Sequence, residues 1–167
     1  MFSYRPITTA VCVCLAASLT ALAFDSAAGE KPDLPTITFE KGDVTKALTA
    51  CPGGKVKIEL SGGDARLSDA KSGELIGAAL RHDKPEQHGG RSVITCWAFS
   101  PDGKLVATGS RCDNIDGSEG QICVWEVSTG RRVAEYKKRL GNAQGLAFGE
   151  DGKTVLFKAR AFELDGK

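Results

Sequence analysis

The chain has 167 residues and a formal net charge of +1, from 22 basic and 21 acidic side chains, so it has room for one domain and no electrostatic pull toward nucleic acid or a membrane surface. Its 20 glycines and few aromatic residues argue against a mainly helical protein, because glycine is costly inside a helix, and predict an all-β one.

In chain order, Met1 to Pro6 carries Arg5, Ile7 to Ala23 is apolar and alanine-rich, and Ala21-Leu22-Ala23 offers small residues where a signal peptidase cuts. This predicts an export signal over 1–23, with Ser26-Ala27-Ala28 as an alternative cut, so that the mature chain begins at Phe24 or Gly29. A membrane anchor is the competing reading. The apolar core includes four serine or threonine residues and lacks the roughly 20 strongly apolar positions of a spanning helix, so no stable insertion is expected once the signal is gone. Val13 is too large to precede a lipidated Cys14. Removal of the signal leaves Cys51, Cys96, Cys112 and Cys123, an even number in a compartment that could be oxidising. Residues 24–33 are small and polar and read as a linker.

Leu34 to Glu40 has the β-branched composition of a strand. Beyond it the chain repeats. Cys51-Pro52-Gly53-Gly54-Lys55, Ser100-Pro101-Asp102-Gly103-Lys104 and Gly149-Glu150-Asp151-Gly152-Lys153 stand 49 residues apart, each preceded by an inner strand: Thr45 to Ala50, Ile94 to Phe99 and Ala143 to Phe148. Val44, Val93 and Asn142 hold the same place in the three repeats. Leu48, Trp97 and Leu146 share one face with Ala50, Phe99 and Phe148, while Ala47, Cys96 and Gly145 lie on the other, and a large face against a small one suits stacked sheets. For Asp43 to Ala50 a short helix is the alternative. Ala65 to Gly73 lies 57 residues before Ile122 to Gly130 as a third strand, and Glu74 to Leu80 matches Arg131 to Lys137 as an outer one. A polar connection, Arg81 to Arg91, leads into the second repeat. In the last repeat Thr154 to Ala159 is a second strand and Phe162 to Leu164 a short third, with no outer strand before Lys167. The repeats fall near 43–80, 92–137 and 141–167.

The second repeat is the most explicit, with four apolar runs, Val93 to Phe99, Leu105 to Thr108, Ile122 to Val127 and Arg132 to Tyr136, divided by turns. Its Phe99-Ser100-Pro101-Asp102-Gly103-Lys104 turn, Ala107-Thr108-Gly109-Ser110 second strand and Val124-Trp125-Glu126 third strand resemble a blade of the WD40-repeat propeller family. The resemblance covers 34–167. It implies about three four-stranded antiparallel WD40-type blades in an incomplete, open propeller, with Leu34 to Glu40 in the outer place of the last blade. Closed rings use roughly four to eight blades, so three imply either part of a longer or split product or a ring completed with another chain, a homo-oligomer included.

The resemblance further implies a structural network in which Trp125 donates to Ser110, supported by His88 and Asp113. Ser68 and Phe162 stand where the other repeats would carry the tryptophan, and Asp69 keeps the acid. Cys112 and Cys123 flank a loop that a disulfide would staple, although each also reads as a small buried hydrophobe. In that loop Asp113, Asn114, Asp116 and Glu119 are candidate partner contacts, since binding residues concentrate on rim loops. A calcium pattern anchored on Gly117 fails, because Cys112 and Cys123 fall at its first and last ligand positions. His82 and His88 make no zinc set, the Gly-Lys pairs lie in hairpin turns, and no Gly-x-Ser-x-Gly elbow is present, so no cofactor or metal is expected. The expected function is an exported scaffold that binds a protein or peptide and has no catalysis of its own. The alternative is the propeller portion of a larger or split exported enzyme.

Overall fold

The computed structural model describes residues 36–83, 91–112, 120–137 and 140–160, all within the compact unit Asp33–Lys167. The expected signal, the linker, the 84–90 and 113–119 loops and Phe162 to Leu164 lie outside the described residues.

The repeated turns share one backbone bond and a left-handed glycine. Gly54 N–H donates to Cys51 O over 2.9 Å, Gly103 to Ser100 over 2.9 Å and Gly152 to Gly149 over 3.0 Å. Each of those glycines has a positive φ, 64°, 71° and 64°, which a side chain would resist, and this is why glycine recurs at that position. Among the described residues ten strands run around the turns: β1 (Thr38–Lys41), β2 (Val56–Ser61), β3 (Asp64–Asp69), β4 (Leu75–Leu80), β5 (Ser92–Phe99), β6 (Leu105–Cys112), β7 (Ile122–Glu126), β8 (Arg132–Tyr136), β9 (Asn142–Phe148) and β10 (Thr154–Arg160). They form three sheets, ordered β2-β3-β4, β5-β6-β7-β8 and β1-β10-β9.

Pairing follows the sequence repeat. Ser68 faces Leu75 and, 57 positions on, Trp125 faces Arg132. The inner strands β5 and β9 slip register at equivalent points: Thr95 is passed over between Ile94 and Cys96, and Gln144 between Ala143 and Gly145. That shared bulge turns Cys96 and Gly145 onto the small face of their sheets.

The central sheet is apolar on both sides, so it is packed from both. Phe99, Val106, Cys123, Trp125 and Val127 meet Ala65, Leu67 and Leu80 of the first sheet and Cys51 of the turn before it. Ala98, Leu105, Ala107, Ile122 and Val124 meet Leu146, Phe148, Val155 and Phe157 of the last. At Gly109 the two sheets approach closely: a Cβ there would lie 2.8 Å from Ala143 Cβ and 3.3 Å from Leu146 Cδ1 of the last sheet, and 2.7 Å from Cys96 Sγ of its own. Large side chains of the last sheet therefore nest over the glycine, alanine and cysteine surface of the central one. The far side of the first sheet is exposed at Lys57, Glu59 and Arg66.

Two expectations are corrected. Thr45 to Ala50 is not a strand, and the first sheet has three strands. The Asp43 carboxylate accepts the Thr45 N–H and hydroxyl at 2.9 and 2.8 Å, and Ala47 N–H closes a turn on Val44 O at 3.2 Å. A short acidic side chain that bonds nearby backbone competes with strand pairing, and Leu48 ends 41% exposed while Leu146 is buried. Secondly, the first strand docks on the last blade at an unexpected place: β1 pairs directly with β10, in parallel, in register Thr38↔Thr154 to Lys41↔Phe157. It thus fills a third-strand position instead of the outer one, where Phe39 lies 5.5 Å from the Tyr136 ring and Tyr136 5.2 Å from Phe157.

Candidate functional site

The polar centre of the described residues lies between the first and central sheets. Alternation puts Val106, Thr108 and Ser110 of β6 on the same face as Trp125 of β7. Val106 faces Trp125 directly, which makes Thr108 its diagonal neighbour and carries Ser110 one step too far. Trp125 Nε1 accordingly donates to Thr108 Oγ1 over 2.7 Å, and His82 Nε2 lies 2.7 Å from the same oxygen. His82 follows β4 by two residues, so its imidazole ties the first sheet to the middle of the central one. Its other nitrogen, Nδ1, is buried without a hydrogen-bond partner among the described residues.

This revises the expected network. Thr108 takes the role assigned to Ser110, whose hydroxyl instead accepts Gln121 N–H over 3.2 Å. His82 takes the role assigned to His88, which lies outside the described residues with Asp113, Asn114, Asp116 and Glu119. The Cys112–Cys123 staple is not formed: Cys123 is a free thiol. It faces Thr108 while Cys112 stands at the Ser92 register, four residues further along β6, about 13 Å at strand rise and well past the ~7 Å Cα limit of a disulfide.

Next to His82, the Asp83 carboxylate accepts Lys137 Nζ at 2.8 Å, Arg132 Nη1 at 3.0 Å and Gln121 Nε2 at 3.4 Å. Arg132 Nη1 also pairs with Glu135 at 3.2 Å, and its guanidinium stands 5.9 Å from the Trp125 ring centre. These contacts set the charge states. Burial, then the Arg132 charge, takes His82 down to about 4, so it is neutral at pH 7. The Lys137 bond leads in holding Asp83 at about 2. Burial pushes the Cys123 thiol up to about 12 and Cys96 up to about 11, away from the thiolate that a nucleophile or metal ligand needs. Among the described residues no three His, Cys, Asp or Glu groups come together to hold a metal ion, and no helix is long and apolar enough to cross a membrane.

No family model matches the chain. It is 38% identical over 71 residues to the guanine nucleotide-exchange factor SEC12 of Rattus norvegicus, 40% of this chain and 15% of that protein. To SEC12 of Mus musculus it is 35% identical over 71 residues, again 40% of this chain and 15% of that one. The chain thus spans about 15% of the length of these curated relatives. The crystal structure of the RRP9 WD40 repeats is similar at a TM-score of 0.44 and 22% identity, over 68% of this chain and 29% of that one. A four-stranded antiparallel blade, a fixed hairpin interval and a third-strand tryptophan bonded through a second-strand hydroxyl to an incoming histidine belong together in one repeat class. These are WD40-type propeller blades.

Surface clefts flank the stack among the described residues. One, of about 290 Å³, lies on the first blade against Leu75, Ile76, Gly77, Arg66 and Arg81. Another, of about 380 Å³, lies on the last blade against Phe157, Val44, Thr45, Lys41 and Lys158. Each sets apolar side chains beside two cations, with Asp43 also lining the second. Composition spread over distant segments hid these groupings from the sequence.

Proposed function

We propose that this chain is an exported, non-catalytic scaffold whose WD40-type blades bind a protein or peptide. The observation that carries the reading is where the reactive groups are used: His82 is neutral and bonded to Thr108, Asp83 is held by two cations, and the Cys96 and Cys123 thiols are protonated. The polar machinery thus serves to join blades, leaving the clefts beside Arg66 and Lys158 as contact surface. Export is supported by the alanine-rich leader ending at Ala23.

The test has two arms. Expressed with its own N-terminus, the chain should appear outside the cytoplasm with Phe24 or Gly29 first; retention with Met1 in place opposes export. Immobilised chain should select one class of peptide from a displayed library, and Arg66→Glu or Lys158→Glu should abolish its binding. An unselective library result, or binding that ignores both substitutions, opposes the scaffold reading. The match to exchange factors favours a second reading, in which the chain is a propeller portion of a larger or split enzyme. Acceleration of GDP release from a small GTPase by the chain would favour that reading.

A further inference from the structure

The first blade lacks a strand on its inner side, and the residues that match the missing strand run alongside without filling the place. Thr45 to Ala50 aligns without gaps with Ile94 to Phe99 of β5 and Ala143 to Phe148 of β9, and the turn that follows keeps their Gly N–H bond, Gly54 to Cys51 O. Gly53 at φ 80° replaces their aspartate, and the Ser100–Leu105 and Gly149–Thr154 closing bonds have no counterpart among the described residues. Here it crosses instead toward the other two blades. Leu48 O accepts Phe99 N–H over 2.8 Å on the inner edge of β5, and Thr49 O accepts the Trp97 indole N–H over 2.9 Å. Val44 fills the notch left by Gly145, where a Cβ would come within 2.9 Å of its Cγ2. Meanwhile β2 is an edge strand, and Leu60, on the face it turns to the central blade, is 45% exposed.

We propose that Val44–Ala50 is a two-position strap. In one position it lies across the inner edge of β5; in the other it pairs with β2 as the first blade's inner strand and leaves that edge open. Both other blades specify the same register for the second position. Ala98 faces Ala107 and Ala147 faces Leu156, which places Thr49 opposite Ile58; Cys96 faces Gly109, which places Ala47 opposite Leu60 and covers it. Leaving the first position gives up the two backbone-acceptor bonds, the Val44 contact at Gly145, the Asp43–Thr45 and Ala47–Val44 turn bonds and the packing of Ala47 against the core; the second position gains a short ladder and a neighbour for Leu60. Packed elements of this kind move between discrete arrangements. The inference stands on the repeat and on these contacts, independently of what the propeller binds.

The test is a pair of cysteines, Thr49→Cys with Ile58→Cys, in the full chain, with the bridge located by mass spectrometry. The strap predicts that the 49–58 bridge forms in the folded protein. Hydrogen exchange at the Trp97 indole should then quicken by about tenfold or more as it loses its acceptor, while the Trp125 indole stays protected. A folded protein that forms no such bridge, or a bridge that appears only as Trp125 protection is lost, overturns the proposal. A second variant acts from the other end: Gly145→Val refills the notch and should raise the bridging rate by about threefold or more through the shifted population. An unchanged rate in a folded Gly145→Val protein contradicts it equally.

Discussion

Trp125 and Thr108 are joined by a 2.7 Å hydrogen bond between two buried side chains, and His82 uses the same hydroxyl. Thr108→Val keeps the shape and removes the oxygen, leaving an indole N–H and an imidazole nitrogen without partners. The expected loss in urea unfolding is about 2–4 kcal/mol, since each buried unsatisfied group costs about 1–3 kcal/mol. Ser110→Ala should cost only about 1 kcal/mol, because Ser110 N–H and Gln121 O remain bonded at 2.9 Å. Equal losses would mean that the tryptophan does not depend on Thr108.

Acid should loosen the same contact. The folded-state value of His82, about 4, lies below its ordinary 6.5, so between these values the unfolded chain binds a proton that the folded chain refuses. This contribution is whole above pH 6.5 and lost as pH falls toward 4, up to about 3 kcal/mol at about 1.4 kcal/mol per pKa unit. Asp83 adds a separate loss as pH drops below its ordinary 3.8 toward 2. Urea midpoints between pH 7 and 4 should fall for the native sequence and stay nearly level for His82→Asn.

Between the central and last blades the determinant is room at Gly109. Gly109→Ala places a methyl within 2.8 Å of both Cys96 and Ala143, and overpacking of this kind costs about 1–3 kcal/mol. Leu146→Ala costs about 2–5 kcal/mol by itself, and the double substitution should cost less than the sum of the two singles, as contacting residues are coupled. Strict additivity of the two substitutions would place Leu146 elsewhere.

Thiol reactivity gives a further check. With Cys123 pushed up to about 12 and Cys96 up to about 11 by burial, neither should label with a thiol reagent in the folded protein, and both should label in urea. Fast native labelling of Cys123, or its recovery in a bridge to Cys112, would contradict the free, buried thiol.

Turns and strand alternation were legible in the sequence because they are local. The Gly-Lys turns at Gly54, Gly103 and Gly152, the four strands of the central blade and the faces of Trp97 and Cys96 all follow from spacing. The network partner of Trp125 was not, because Thr108 and Ser110 share a face and only the β6–β7 register separates them. His82 looked no different from His88, since nothing local shows that the chain leaves β4 within reach of Thr108. The Thr45 to Ala50 segment failed for a physical reason as well: the Asp43 carboxylate bonds the backbone ahead of it and pulls the chain into a turn. The parallel docking of β1 on β10 joins residues more than 100 positions apart, a distance over which spacing carries no information.

Face-to-face nesting of the blades is most directly read by proton–proton contacts in methyl-labelled protein. The Leu146 methyl groups should show strong cross-peaks to the Gly109 α-protons, where a Cβ would lie 3.3 Å from Leu146 Cδ1, and to Cys96, which packs against the same cluster. Leu146 cross-peaks confined to its own sheet, with none to Gly109 or Cys96, would contradict the stacked arrangement.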